Sequence, residues 1–520
     1  MANSRRAKSS VSKYYLTTAI PYPSGEPHVG HSFEMIAADA VVRFKRLRGI
    51  DAYFLGGLDE NSQRVSRQAA EAGVDTMAYV DEAAERFQDV WRSVDVEFDD
   101  FVRTTEPRHH VTVNEFFARV LAQGDIYEGD YEGWYCVPCE AFYTDDDLTD
   151  GLCPFHDAKP EWVTERNYFF RMSKYQDAIA AHYEAHPDFV YPDTRRNEML
   201  GIIRQGLRDF SISRASLTWG IPLPNDPAQR IYVWFDALIN YITGIGFGQN
   251  GGEAAFEQWW PAEAHVIGKD IVRFHALYWP TMLMSAGLPL PRQVVVHGWV
   301  DYEGAPMSQT SGHIVRPADV IERHGSDALR YYLLREVPFD RDGDFKWRNM
   351  GRRYQDDLGN DLGNLVLRTT SMLGRYFDGV VPPAEEPSEV ESELRAAAET
   401  AWTLAEAHYE SWRLHLALGA TFDFVSAVNR YIDRTEPWRL ARDPAQRERL
   451  STVLGAALEA VRHIAIQLQP AMPRTSTAIL GRLGLPPAGP GDWGAGGWTG
   501  LPAGHRVPGG AALFPRIEAA

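Results

Sequence analysis

At 520 residues, 44% hydrophobic and 24% charged, the chain has the make-up of a globular protein of roughly two to four domains with ample core. Its net charge of −19 argues against a general nucleic-acid coat but leaves room for a local basic surface. No apolar run reaches membrane-spanning length, and no apolar leader follows the basic, Ser-rich start MANSRRAKSSVSK, so the expectation is a cytoplasmic protein with a short frayed tail and no membrane partner.

Residues 14–20, YYLTTAI, predict a buried strand that PYPSGEP breaks. From His28, apolar residues recur at helical spacing through Phe33, Ile36, Ala37, Val41, Val42 and Phe44 until Gly49, and DAYFLGG at 51–57 predicts a second strand. Strand, helix and strand of this length make a βαβ unit, which implies a parallel sheet with its ligand at the carboxyl ends of the strands. His28-Val29-Gly30-His31 opens the helix, so two imidazoles share one face of its first turn with the unpaired N–H groups and the positive end of the helix dipole. Gly30 lets a nucleotide approach the backbone closely. Such a site can hold phosphates and stabilise the charge that develops when a carboxylate attacks the α-phosphate of ATP. Taken alone, these four residues fit a capping or core histidine pair equally well.

Between 133 and 156 the pattern changes to short aromatic strands and turns that carry every cysteine of the chain. Cys136, Cys139, Cys153 and His156 spell Cys-x2-Cys-x13-Cys-x2-His, with Pro138, Gly151 and Pro154 supplying turns. Three thiolates and one imidazole close a tetrahedron suited to a structural Zn2+ with no open position, which would hold together a segment with little core of its own.

The βα character returns between Tyr232 and Val300 in the runs IYVWFDALINYI, AHVIGKDI and QVVVHGWV. Beyond Asp319 the chain turns helical, and residues 391–480 are rich in Ala, Leu, Arg and Glu at helical periodicity. The Gly-rich segment GPGDWGAGGWTG at 489–500 is expected to be irregular and to pack through Trp493 and Trp498. Arginines gather at Arg348, Arg352, Arg353 and Arg368, and again at Arg430, Arg434, Arg439 and Arg442, on what is either a solvated helix face or an RNA-facing one.

From Tyr14 to about Leu480 the chain resembles the methionyl-tRNA synthetases, a class I aminoacyl-tRNA synthetase family. TTAIPYPSGEPHVGHSFEMIAADAVVRFKRLRG looks like the family's first block, with HVGH as its HIGH signature; CVPCEAFY with GLCPFH looks like its single-knuckle zinc insertion; and TERNYFFRMSKY, SISRASLTWGIPLP, YVWFDALINYITGIGF, HVIGKDIVRFHALYWP and DLGNDLGNLVLR follow in family order. The resemblance implies an α/β fold, a Rossmann-like doubly wound parallel sheet with a zinc-knuckle insertion, followed by a C-terminal α-helical anticodon-binding bundle. It divides the chain into catalytic half 1 (1–128), a connective insertion with the knuckle (129–215), catalytic half 2 (216–318), a stem-contact segment (319–385) and the helical anticodon domain with its tail (386–520).

The implied reaction joins methionine to ATP, with Mg2+ helping, to give methionyl-adenylate, and then passes the methionyl group to tRNA. By position, His28 and His31 hold the phosphates, with Lys269, Ser308 and Gln309 among the catalytic groups, while Gly30, Gly298, Trp299, Met307 and Thr310 border ATP. Methionine would lie among Ile20, Tyr22, Trp234, Ala237, Leu238, Tyr241, Ile271 and His275, with Asp59 on its α-ammonium group, and aromatic and aliphatic walls suit a polarisable thioether. Asn364, Arg368 and Trp438 match anticodon-reading positions, which favours the RNA-facing reading of the arginines. The chain stops soon after the bundle, without the dimerisation domain that some members carry, so a monomer is expected.

Two segments depart from the family. Where its loop after HGW reads KMSKS and then Gly-Asn, this chain has Pro306-Met307-Ser308-Gln309-Thr310-Ser311-Gly312-His313, without either lysine; and the family's Asp-Glu-His-Gly is here Asp59-Glu60-Asn61-Ser62. Those lysines neutralise the triphosphate as pyrophosphate leaves. Three readings follow: a working ligase in which Lys269, Arg273 or Arg316 compensates, a paralogue that serves a non-tRNA acceptor in specialised metabolism, or a pseudo-enzyme that only binds amino acid or tRNA.

Overall fold

The computed structural model describes residues 13–137, 140–143, 145–154, 159–307, 312–383, 386–494 and 497–517. The elements that place the site are, in chain order, β1 (Lys13–Thr18), α1 (Val29–Leu47), β2 (Asp51–Leu58), α2 (Gln63–Ala72), β3 (Asp100–Arg103), α3 (Pro107–Ala122), β4 (Ile126–Cys136), β5 (Glu161–Phe170), β6 (Val190–Tyr191), α4 (Val233–Ala237), β7 (Ala264–Gly268) and β8 (Val294–His297). The helical half follows with α5 (Pro317–His324), α6 (Ser326–Glu336), α7 (Asn364–Phe377), α8 (Glu389–Glu410), α9 (Leu414–Thr435), α10 (Arg447–Leu468) and α11 (Pro473–Arg482).

Six strands make one all-parallel sheet in the order β3-β2-β1-β7-β8-β6. β7 and β8 are buried at every residue, as strands covered on both faces must be. Side chains alternate between two cores: Leu16, Phe54, Val266 and Val295 face one, and Tyr15, Leu55, Ile267 and Val296 face the other. The first core runs without a break through α1 into the bundle helices, where Phe44 stacks on Tyr409 at 4.9 Å. The second joins the sheet to the cysteine-bearing insertion, which is built on the antiparallel pair β4–β5, in register from Ile126↔Phe170 to Tyr135↔Glu161.

Two details go beyond those expectations. Within residues 129–215, Val190 pairs with Val294 and gives the sheet its edge strand β6. The run IYVWFDALINYI is strand only as far as Ile231 and then folds into two short helices, since an apolar run in a buried setting suits either state. Trp493 and Trp498 do pack: the Trp493 amide donates to the carbonyl of Leu47 at the end of α1, its ring meets Phe44 edge-on at 4.8 Å, and Trp498 stacks on His463. Among the described residues, no helix is long and apolar enough to cross a membrane.

One buried side chain ties these parts together. Arg330 of α6, fully buried, donates from Nη2 to Asp39 of α1 (2.7 Å) and to Pro470 O, from Nε to Ala471 O, and from Nη1 to Val94 O and Asp95 O. All five guanidinium N–H groups are used, which is what lets a charge sit there. Arg330→Ala would leave Asp39 and four carbonyls short of a donor, and is expected to lower the unfolding free energy by about 3–5 kcal/mol, read as a downward shift of the denaturant midpoint.

Candidate functional site

The chain winds outward from β1 through β2 to β3, then returns to build β7 and β8 on the other side of β1. The crevice where the strand order reverses, between the carboxyl ends of β1 and β7, is where sheets of this kind bind ligands. Four segments leave strands at that edge: 19–28 after β1, Asp59 after β2, Lys269–His275 after β7 and Gly298–Trp299 after β8. Nine of the sequence-predicted site residues lie on these four segments: Ile20, Tyr22, His28, Asp59, Lys269, Ile271, His275, Gly298 and Trp299.

His28 is the N-cap of α1, and its Nδ1 accepts from the Gly30 amide at 3.1 Å. In return the His28 amide donates to His31 Nδ1 at 3.3 Å, so the two rings form a reciprocal cap with centroids 4.0 Å apart. Because both Nδ1 atoms accept, each neutral ring must carry its proton on Nε2. Burial pushes His28 down to about 4 and His31 well below its ordinary value, the latter helped by His28 and Arg64, so both rings are neutral donors at pH 7. A Cβ on Gly30 would stand 2.9 Å from the His28 ring, so glycine is needed for the fold-over of the cap.

Asp59 is buried at the end of β2, its amide bound to Pro21 O, and its Oδ1 has no hydrogen-bond partner. Burial first, then the neighbouring carboxylates Asp236 and Glu140, hold its carboxyl well above the usual range. Tyr22 Oη and Trp234 Nε1 are likewise buried without partners. Trp234 stacks on Phe274 at 3.8 Å, and Tyr241 donates to His275 Nε2 (2.7 Å), whose Nδ1–H donates to Ile271 O (3.0 Å). Tyr22, Trp234, Leu238, Tyr241 and Ile271 thus belong to one apolar cluster, with Ala237 buried beside them on α4. Ile20 packs over Gly57, where any Cβ would meet it at 2.8 Å.

On the other flank His297 reaches Glu34 of α1 at 2.8 Å and the Gly298 carbonyl at 2.7 Å. Burial opposes charge on His297, but Glu34 and that carbonyl outweigh it and hold the imidazole protonated above its ordinary range. Gly298 has a packing reason of its own, since a Cβ there would strike the Arg341 carbonyl carbon at 2.1 Å. The Trp299 amide donates to Asp342 and its Nε1–H to Asp270, while Lys269 Nζ pairs with Asp342 at 2.6 Å and lies 4.2 Å from the centre of the Trp299 ring. Met307 packs partly buried against the first core; Ser308, Gln309 and Thr310 lie outside the described residues.

Cys136 and Cys153 are buried at the insertion and neither is in a disulfide, whereas Cys139 and His156 lie outside the described residues. Among the described residues no group of three or more His, Cys, Asp or Glu could hold a metal. Far from the crevice, Asn364 begins α7 and lines a groove of about 280 Å³ with Tyr354, Gln355 and Phe514. One turn on, Arg368 is held by Asp433 (3.0 Å) and Asn429 (3.1 Å), and Trp438 lies partly buried on the short helix Pro437–Leu440. Arg353, by contrast, is spent within the fold on Glu336 and Asp357.

Sequence reasoning missed a buried polar knot beneath Asp59. His109 Nε2 lies 2.6 Å from Asp236 Oδ1, and Asn61 Nδ2 donates to Asp236 Oδ2 (2.7 Å) and to Thr104 O (3.0 Å). Asp236 stands on α4 between the wall residues Trp234 and Ala237, so the knot fixes that wall relative to the Asp59 turn. Its only sequence signal is the departure at Asn61. Ser62, in the other departed position, caps α2 through its Oγ.

The family model for class I tRNA synthetases (M) matches residues 14–159 and 145–370. The methionine–tRNA ligase of Caldanaerobacter subterraneus subsp. tengcongensis is 45% identical over 505 residues, covering 97% of this chain and 79% of that protein. That of Thermotoga maritima is 43% identical over 514 residues, covering 98% and 81%. Among solved structures, the Mycobacterium tuberculosis methionyl-tRNA synthetase in complex with methionyl-adenylate superposes with a TM-score of 0.94 at 42% identity, over 97% of this chain and all of that one. With its parallel sheet, its reversal crevice and its helical C-terminal half, the chain belongs to the methionyl-tRNA synthetase family of class I.

Proposed function

We propose that this chain is a methionine–tRNA ligase that activates methionine with ATP and transfers it to tRNA. The observation that carries the reading is the pairing, at one crevice, of a phosphate-ready helix end with a buried carboxylate whose Oδ1 has no partner. A buried acceptor left open calls for a donor, and the substrate's ammonium group is one of the right charge. Nearly full-length relatives that carry this activity support the same assignment.

In the first step a methionine carboxylate oxygen attacks the α-phosphorus of ATP, the bond to the bridging oxygen breaks, and pyrophosphate leaves. His28 and His31, neutral and holding their protons on Nε2, donate to phosphoryl oxygens without having to ionise, beside the amides at the start of α1. Asp59 takes the ammonium group, and Trp234, Tyr241, His275 and Ile271 enclose the thioether, with the Tyr241–His275–Ile271 chain of hydrogen bonds holding the rings in place. Trp299, held by Asp270 and Asp342, borders the adenine. Mg2+ would supply further neutralisation of the triphosphate. In the second step a terminal ribose hydroxyl of tRNA attacks the methionyl carbonyl carbon and AMP leaves.

The supporting parts are assigned on the same footing. Cys136, Cys139, Cys153 and His156 would hold a structural Zn2+; the burial of Cys136 and Cys153 outside any disulfide fits that donor set. Asn364, Arg368 and Trp438 would read the anticodon from the bundle, with residues 319–385 against the stem. Met307, Ser308, Gln309 and Thr310 would take the place of the family's lysine-bearing loop in weakened form, since a glutamine offers hydrogen bonds but no charge. The cytoplasm is the compartment where this activity is expected.

Amino-acid-dependent ATP–pyrophosphate exchange, followed by tRNA charging, tests the reading. Exchange with methionine and charging are expected, exchange with another amino acid would overturn the pocket, and none at all in folded, zinc-loaded protein would leave a binding protein. Asp59→Asn should raise the KM for methionine by about 10²-fold with little change in the melting temperature, because Oδ1 of the buried carboxyl has no hydrogen-bond partner. The pH dependence of stability has a fixed sign. His28 titrates near its ordinary 6.5 when unfolded and about 4 when folded. The unfolded chain therefore binds the extra proton first, and stability is full above that ordinary value and falls as pH drops towards the folded one. Denaturant midpoints measured across this window should fall less steeply in His28→Gln.

A further inference from the structure

We propose that Arg316 supplies the positive charge for the departing pyrophosphate that the loop, with Pro306 and Gln309 in place of lysines, does not supply; the proposal rests on the ligase reading above. The chain leaves the loop through Ile314 and Val315, and there it touches the nucleotide helix directly: the Val29 amide donates to the Val315 carbonyl at 3.0 Å. Val29 lies between His28 and Gly30, so the residue after Val315 is held beside the phosphate-facing end of α1. Arg316 itself is the N-cap residue of α5 in extended conformation, followed by Pro317, whose ring fixes the backbone direction.

Its side chain is committed only weakly. Arg316 Nε pairs with Glu26 Oε2 at 2.5 Å, and both side chains are about half exposed, at 55% and 54%. An ion pair this open to water contributes little, whereas a guanidinium facing a phosphate gains two parallel charge-assisted hydrogen bonds. Glu26 precedes His28 by two residues, so the partner that Arg316 gives up stands at the entrance to the phosphate site. Glu26 thus acts as a placeholder for the anion.

The other cations near the crevice are differently engaged. Lys269 is pinned by Asp342 and covered by Trp299, with 19% of its side chain exposed. Arg273 faces the ring of Tyr278 and the insertion residues Tyr143 and Asp147. Arg64 acts on His31, and its amide is bound by Glu140, which makes it the natural comparison.

The test combines binding of inorganic pyrophosphate, by calorimetry, with methionine-dependent exchange. Arg316→Ala is expected to weaken pyrophosphate binding about tenfold and to lower the kcat of exchange about 10²-fold with the methionine KM unchanged. Arg316→Lys should keep most of both, and Glu26→Gln should tighten pyrophosphate binding. Adding Gln309→Lys to Arg316→Ala should restore exchange, a rescue that a merely structural role would not give. The assignment is overturned by unchanged pyrophosphate affinity in Arg316→Ala, by a loss confined to Arg64→Ala, or by a loss that Gln309→Lys fails to restore. If the unaltered chain exchanges with no amino acid, the ligase reading fails and the role of Arg316 in pyrophosphate departure fails with it; if it exchanges with methionine and Arg316→Ala changes neither exchange nor pyrophosphate affinity, the Arg316 assignment alone fails.

Discussion

The Arg330–Asp39 pair is the constraint on which the arrangement depends. It joins the middle of α1 to α6 and, through Pro470 and Ala471, to the turn between α10 and α11. A second arginine, Arg43, one turn along α1, binds the same Asp39 oxygen at 2.8 Å. A helix held at that point cannot roll, and its roll sets where the two imidazoles at its start point. Buried ion pairs are weak sources of net stability, but a shift that separates the partners leaves an uncompensated buried charge, which is costly. That property suits a helix whose function lies at its tip.

From that fixed helix the crevice follows by topology. The reversal between β1 and β7 opens the sheet edge, and the turns after β1, β2, β7 and β8 deliver the capping imidazole of His28, the buried carboxyl of Asp59, the Ile271–His275 side of the apolar cluster and the Trp299 ring from four separate stretches of sequence. Charge is handled differently at the two ends. The helix end uses neutral imidazoles with assigned tautomers, while the pocket end keeps a buried carboxyl whose Oδ1 has no hydrogen-bond partner. Positive charge for pyrophosphate departure would then come from a fixed residue rather than from a moving one.

Much of this was legible in the residues themselves. The βα unit from Tyr14 to Gly57 could be read because its strands are short and apolar, its helix periodic and its turns marked by Pro and Gly. Other parts were not, for reasons of distance or brevity. Arg330 sits in SDALRYYLLRE, where an arginine reads as solvent-facing; its burial depends on Asp39, 291 residues away. β6 is two residues long and has no pattern to find. His109 and Asp236 are ordinary residues in ordinary helices until the fold brings them within 2.6 Å. Resemblance puts Gly298 at the border of ATP, and the Arg341 backbone beside it independently requires a glycine there. Residue-by-residue resemblance reached the crevice better than periodicity did, because its turns are irregular and carry no period.

The strap at Trp493 has a consequence of a different kind. Its amide closes the end of α1, its indole N–H donates to Glu406 of α8, and its ring meets Trp402 at 4.8 Å and Tyr409 at 5.9 Å. One aromatic side chain therefore touches both α1 and the helical bundle from a buried, ring-lined setting. With 15 tryptophans in the chain, the emission of this one is read as the difference between the unaltered chain and Trp493→Phe, and that difference would follow in real time whether the two halves stay docked as the enzyme works.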